Sequence, residues 1–329
     1  MKKFVALLLA VLMIFSLAAC GTKSDDSTKT VYLIIKNMGA SYWAVLQRGA
    51  QKAQAENKNL RLIVQGIQDE AAHEKQVEYV QNAVSAGADA IVIAVSDSKA
   101  LRPEVIKASE AGIPIILVDT MIAEWEDYNA AYVTDNVAAG RQAAETLIAK
   151  LTAKNAPAGT VAIAAGGAGS QTIIDRMNGF KEYWTANADA KWVIHWDEVI
   201  YNDGSQGSDY AVTVGKNYFS AYDDLIAVVG TNNTPTVGLC KALVEDNVTN
   251  LTLVGFDLSP EIEALIVEGK RDVATMMQAQ FNMGYLGVQM AFDLASGKAG
   301  PDPKLQTTPM FVVDKSNLSD PTIQEAAGK

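Results

Sequence analysis

Ile115-Ile116-Leu117-Val118-Asp119 is a short run of aliphatic residues that stops on a carboxylate. Leu253-Val254-Gly255-Phe256-Asp257 repeats the design in the second half of the chain. A run this short, with no polar alternation, suits a strand covered on both faces. In each half the strand before it ends in a polar cluster. Ala90–Val95 runs into Ser96-Asp97-Ser98, and Leu225–Val229 is followed by Thr231-Asn232-Asn233.

Outward from these runs the chain alternates strand and helix. In the first half the predicted strands are Val31–Ile35, Leu60–Val64, Ala90–Val95 and Ile113–Val118. Between them lie residues at helical spacing: Trp43, Leu46, Ala50 and Ala53, then Val77, Val80 and Val84, then Leu101–Ala111. The second half repeats the order. Strands are predicted at Thr160–Ala165, Trp192–Ile200, Leu225–Val229 and Leu251–Phe256, and helices at Ile174–Asn187, Ser208–Phe219 and Thr236–Asp246. This alternation predicts an α/β fold of two Rossmann-like lobes with parallel sheets. Ligands of open α/β sheets bind at the carboxyl ends of strands, where both polar clusters and both Asp residues fall. Two such edges facing each other make a cleft.

The N-terminus reads differently. Met1-Lys2-Lys3 is basic, Phe4 to Leu17 is apolar apart from Ser16, and Leu17-Ala18-Ala19-Cys20 places small residues before a cysteine. That order is an export signal, and the run is short for a membrane span, which needs about 20 apolar residues. Gly21 to Thr30 holds no apolar residue and is expected to be a tether. Lysine and arginine number 27 against 38 acids; without Lys2 and Lys3 the net charge is −13. Such a surface repels phosphate backbones, so nucleic acid is not an expected partner. Hydrophobic residues make up 49% of the chain, enough for two cores. Apart from Cys20 there is one cysteine, Cys240, in an apolar helical stretch, so no intramolecular disulfide forms in the mature chain. Cys240 reads as a small buried hydrophobe.

The chain resembles the periplasmic binding proteins of the ribose- and galactose-binding type, whose lobes are shared with LacI-type repressors. The resemblance covers about Val31 to Asn317. It rests on the aromatic pair Tyr42-Trp43, on Asp119, on Arg176 followed by Gly179-Phe180, on Asn232, on Gly255-Phe256-Asp257 and on Gln278. It implies a three-strand hinge between the lobes and a ligand site of Tyr42, Trp43, Asp119, Arg176, Asn232, Asp257 and Gln278; Lys36 and Thr120, beside these at strand ends, are added to the expected site. Lys36 reads first as a structural or rim charge, though it could add a donor that the ribose binders lack. Three ribose contacts of the family are absent: Ala94-Val95 and Ala40-Ser41 stand where it has Asn-Pro, and Thr120 where it has Arg. The lobes are placed at 31–134 plus 280–306 and at 135–279 plus 307–317, with 318–329 as a C-terminal tail.

Leu-Ala-Ala-Cys resembles the bacterial lipobox. It implies removal of residues 1–19, a diacylglycerol on Cys20 and a tether over 20–30. The expected protein is a monomeric, extracytoplasmic solute-binding lipoprotein, anchored to the cell membrane, that delivers a small sugar to the permease of an ABC transporter. It is expected to be no enzyme and to need no cofactor or metal.

The residue types suit a sugar. A carboxylate accepts two hydroxyls at once, a guanidinium donates in a fixed fork, and aromatic rings cover the apolar C–H face. Each residue also has a plainer role. Asp119 or Asp257 could cap a following helix, Asn232 could be a turn residue, and of Tyr42 and Trp43 one is expected to pack inward and one to face the cleft. An enzyme finds little support. The nucleophile elbow and the phosphate-binding loop are missing, and His73 and His195 stand alone. Asp119 and Asp257 as a glycosidase pair remain an alternative. So do another small polar ligand (a furanone signal, an inositol, a nucleoside) and a sensor as the consumer. A LacI-type repressor would carry a basic DNA-binding headpiece where this chain has its export signal.

Overall fold

A computed structural model describes residues 28–68, 70–202 and 208–329. The expected signal segment and Cys20 lie outside the described residues, as do most of the tether and 203–207.

Two sheets form. The first contains β1 (Lys29–Ile35), β2 (Leu60–Gly66), β3 (Ala90–Ile93), β4 (Ile115–Val118), β5 (Ala130–Val133) and β12 (Leu305–Thr307), in the order β12-β5-β4-β3-β1-β2. All its neighbours are parallel. The second contains β6 (Gly159–Ala165), β7 (Trp192–Val193), β8 (Ile200–Tyr201), β9 (Leu225–Gly230), β10 (Thr252–Phe256), β11 (Asp272–Gln278) and β13 (Met310–Val313), in the order β13-β11-β10-β9-β6-β7, with β8 also on β6. Here only β13 runs antiparallel. β3, β4, β6, β9 and β10 are buried along their whole length, as their unbroken aliphatic sequences require.

Helices cover both faces of each sheet: α1 (Ser41–Glu56), α2 (His73–Ser85), α3 (Arg102–Glu110) and α9 (Gln280–Ala295) on the first, and α4 (Asn136–Ala153), α5 (Gln171–Asn187), α6 (Ser208–Ala221), α7 (Asn233–Glu245) and α8 (Pro260–Glu268) on the second. One helix pair in each lobe packs backbone to backbone through glycines. A methyl at Gly49 or Gly284 would collide with the Phe281 or Leu46 carbonyl between α1 and α9. One at Gly140 or Gly179 would meet the Arg176 or Val137 carbonyl between α4 and α5. The repeat therefore extends from the strand ends to the helix contacts.

Several expectations need correction. β1 begins at Lys29, inside the expected tether, because Thr30 N–H donates to Asp89 at 2.8 Å. The single strand expected over Trp192–Ile200 is two short strands around a 3₁₀ turn at Trp196–Glu198. Its aromatic residues pack on a helix instead: Trp192 lies 6.5 Å from Trp184 and Trp196 lies 6.5 Å from Phe180. The segment expected as a tail from 318 carries α10 (Pro321–Ala326), whose Ile323 and Ala326 are buried in the second lobe's core.

The chain passes between the sheets at Thr134-Asp135, at Ala279 and at Thr308-Pro309. The Thr134 hydroxyl donates to Gln278 Oε1 at 2.9 Å, and Thr308 N–H donates to the Val133 carbonyl at 2.8 Å, so the three passages are tied together. No described helix is long and apolar enough to cross a membrane.

Candidate functional site

Asp119 and Asp257 occupy equivalent places. Each follows a fully buried strand, each donates its N–H to the neighbouring strand (Tyr132 and Met276 carbonyls), and each has a left-handed backbone, φ 64° and 71°. Asp tolerates that conformation better than most residues. Neither caps a helix; the cap of α8 is Ser259. The turn aims both carboxylates across the gap between the sheets.

Between the lobes is a chamber of about 30 Å³, room for a water or two. Lys36, Tyr42, Trp43, Asp119, Arg176, Asn232, Asp257 and Gln278 all line it. Thr120, fully buried, stands behind Asp119. The nine residues read from the sequence thus meet at one place.

The first lobe's wall is a closed network. Asp119 Oδ1 accepts from the Tyr42 hydroxyl at 2.8 Å, and Oδ2 accepts from Lys36 Nζ at 2.9 Å and the Thr120 hydroxyl at 2.7 Å. Burial alone would raise the Asp119 pKa; the Lys36 charge and these hydrogen bonds outweigh it and hold the carboxyl below its ordinary value. Lys36 is no rim charge. It is 4% exposed, donates to Thr120, reaches Ser170 Oγ at 3.5 Å and lies 5.9 Å from the Trp43 ring. Tyr42 and Trp43 are both buried in the first lobe's core and both line the chamber. The expected division between them is absent because their rings pack edge to face, centroids 4.9 Å apart.

The second lobe's wall is incomplete. Arg176 is 2% exposed; Nε donates to Asn136 Oδ1 and Nη1 to the Thr231 carbonyl, both at 2.9 Å, while Nη2 has no partner. The guanidinium lies 4.1 Å from the Phe256 ring centroid. Asp257 is not ion-paired with it. Asp257 Oδ1 accepts from Gln278 Nε2 at 2.8 Å and the carboxylate from the Asn233 N–H, but burial pushes its pKa up to about 6. Asn232 Oδ1 and Asn233 Nδ2 are also buried without partners. The chamber therefore offers donors and acceptors that nothing in the described chain satisfies. Unmade buried hydrogen bonds cost about 1–3 kcal/mol each, so a ligand that completes them is favoured.

The lobes touch directly beside the chamber. Ser98 N–H donates to the Gly169 carbonyl at 3.1 Å and Gln171 N–H to Ser98 Oγ at 3.0 Å. The Thr120 and Thr172 hydroxyls lie 2.9 Å apart. Sequence reasoning missed Ser170, Thr172, Asn233 and Asn136. Ser170 and Thr172 were findable, since they follow β6 at its carboxyl end as Asn232 follows β9. Asn136 acts only through Arg176 and carried no such signal.

A model described as a periplasmic binding protein domain matches residues 31–299. The chain belongs to the periplasmic binding protein family. This binding protein is 28% identical to the ribose import binding protein RbsB of Salmonella typhimurium over 302 residues, 91% of this chain and 94% of that protein. It is 25% identical to a D-ribose/D-allose-binding protein of Pseudomonas aeruginosa, covering 82% of each. Among solved structures, an ABC transporter solute-binding protein of Agrobacterium vitis with bound D-fucose is 31% identical with a TM-score of 0.81, covering 90% of this chain and 98% of that one. A carbohydrate transporter solute-binding protein of Agrobacterium radiobacter in complex with D-arabinose is 25% identical with a TM-score of 0.84, covering 92% and 99%.

Proposed function

We propose that this chain is the sugar-binding protein of an ABC importer and that its lobes close on a neutral sugar held by the residues that line the chamber, which widens to admit it. The observation that carries the reading is the unfinished polar wall of the second lobe: Arg176 Nη2, Asn232 Oδ1 and Asn233 Nδ2, buried and unpartnered beside Asp257. Hydroxyls both donate and accept, so a polyol can satisfy all of them. Lys36 and Arg176 face Glu70, Asp119 and Asp257 in the lining, so there is no excess positive charge to hold a sugar acid. The relatives named for ribose, and the neighbours holding D-fucose and D-arabinose, support the sugar class. The family is one of binding proteins, and Asp119 is committed to Lys36, Tyr42 and Thr120 rather than poised as a general acid.

In this reading the moving bodies are 29–134 plus 280–307 and 135–279 plus 308–326: Thr307 goes with β12 in the first sheet, one residue past the boundary expected from the sequence, and α10 goes with the second lobe. A ligand that touches both binds the closed state better than the open one, and that difference shifts the population. Periplasmic binding proteins as a class close around their ligands by such hinge motion. The Leu17-Ala18-Ala19-Cys20 run supports an anchor outside the cell membrane through a lipid on Cys20; the reading is completed by a monomer with the permease as its partner.

Thermal melting against a panel of neutral monosaccharides and polyols, with sugar acids and amino sugars as controls, tests the site. Ligand at 100 times Kd adds about 2.7 kcal/mol of stability, an easily read shift. Stabilisation by at least one neutral sugar is expected; stabilisation by the charged controls alone would reverse the assignment. Mass spectrometry of the mature protein should find acyl chains on Cys20; an unmodified N-terminus elsewhere would contradict the anchor.

A further inference from the structure

The chamber shares a wall with a second space. Asn232, Asn233, Thr234, Ala40 and Glu70 line both the chamber and a second space of about 470 Å³ between the lobes. That volume lies in the range of small-molecule sites, whereas the chamber alone holds little more than water. One wall of the outer space is a face of α7. Asn233, Val237 and Lys241 follow at intervals of four residues, which puts them on one side of the helix. From Asn233 to Lys241 the groove runs about 12 Å at 1.5 Å per residue. The facing wall is Asn37, Ser41 and Gln68 of the first lobe, and Glu261 stands near the far end.

The lining chemistry continues that of the chamber. Amides and hydroxyls dominate both walls, with Val237 as an apolar patch, a mix that suits ring hydroxyls and a C–H face. Asn233 links the two spaces. It is 8% exposed, and its Nδ2 is buried without a partner.

We propose that the groove along α7 is a second subsite and that the protein takes a disaccharide, one ring held by the chamber's polar walls as they part to admit it and the second against Asn233, Val237 and Lys241. This rests on the sugar-binding reading above and extends it to the length of the ligand. The second ring adds contacts to both lobes, so it strengthens closure rather than merely tolerating it.

Calorimetric titration of the full mature chain decides it, with monosaccharides that raise the melting temperature and with disaccharides carrying each of them as the non-reducing or the reducing ring. Two variants narrow the groove: Lys241→Trp on α7 and Gln68→Trp on the opposite wall, both at exposed positions outside the chamber. The expected result is a disaccharide that binds at least as tightly as the matching monosaccharide. Lys241→Trp or Gln68→Trp should then weaken it tenfold or more while the monosaccharide changes less than twofold. A monosaccharide that binds while every disaccharide is tenfold weaker overturns the second subsite and leaves the sugar-binding reading standing. Disaccharide binding that ignores both variants also overturns it. Failure of every sugar to bind overturns both readings together.

Discussion

Asp257→Asn isolates the charge at the heart of the second lobe. Asparagine is one of the few residues at ease with φ 71°, and its amide oxygen can still accept from Gln278. The substitution therefore changes charge with little change of shape. Burial raises the Asp257 pKa to about 6, against roughly 3.9 in an unfolded chain, even with the attraction of Arg176 included. The folded state then binds more protons than the unfolded one between these values, so stability falls as pH rises through the window. At 1.36 kcal/mol per unit, ionised Asp257 costs the unliganded fold up to about 3 kcal/mol above pH 7, with roughly half of that developing between pH 5 and pH 7. Urea denaturation of parent and variant at pH 5, 7 and 8 reads this directly, because every other carboxylate cancels in the difference. Asp257→Asn should be the more stable protein at pH 8, and its advantage should shrink at pH 5. A variant that is less stable at pH 8, or a difference that does not move with pH, would refute the view that Asp257 is held ionised at a cost.

The wall of the first lobe predicts the opposite behaviour. Asp119→Asn leaves buried Lys36 without its counter-charge and should cost about 3–5 kcal/mol; adding Lys36→Met should recover much of it, and strictly additive losses in a denaturation cycle would break the pairing. Gly179→Leu forces α4 and α5 apart where they touch at backbone level, so a loss of about 1–3 kcal/mol or more is expected, with weaker sugar binding because Arg176 sits on the same helix; a neutral result in thermal melting would contradict the close approach. Burial pushes the Cys240 thiol up to about 12, so thiol reagents at pH 8 should label it only on unfolding; rapid labelling of the native protein would count against its place in the core.

Much of this site could be read from one sequence because its residues sit at repeated places. A strand buried on both faces must be apolar to its end, so the first polar residue after it marks the sheet edge: Asp119, Asp257 and Lys36 stand there, and Asn232 follows one residue past Thr231. Tertiary packing decided the rest. Lys36 gave no sign that Asp119 and Thr120 would meet it inside the fold, since they are distant in sequence. The Trp192–Ile200 stretch has strand-like composition, yet its indoles find more cover on Phe180 and Trp184 than in a ladder. The alanine-rich α4 escaped notice because its stripe of small residues marks close helix contact, a weaker signal than a stripe of large ones. The C-terminal helix is short, and its hold on the second lobe, through buried Ile323, Ala326 and Ala327 and the Lys329–Glu263 ion pair, shows only in the fold.

The central claim is that a sugar is gripped between the lobes through the buried polar wall. Calorimetry with the best sugar from the melting panel, on the parent and on Asp257→Ala, tests it most directly. Removing the carboxylate strips the ligand of an ionised acceptor, and hydrogen bonds to charged groups contribute about 1.5–3 kcal/mol, so Kd should rise about 10- to 150-fold with the fold intact. Equal affinity in the two proteins would contradict the account.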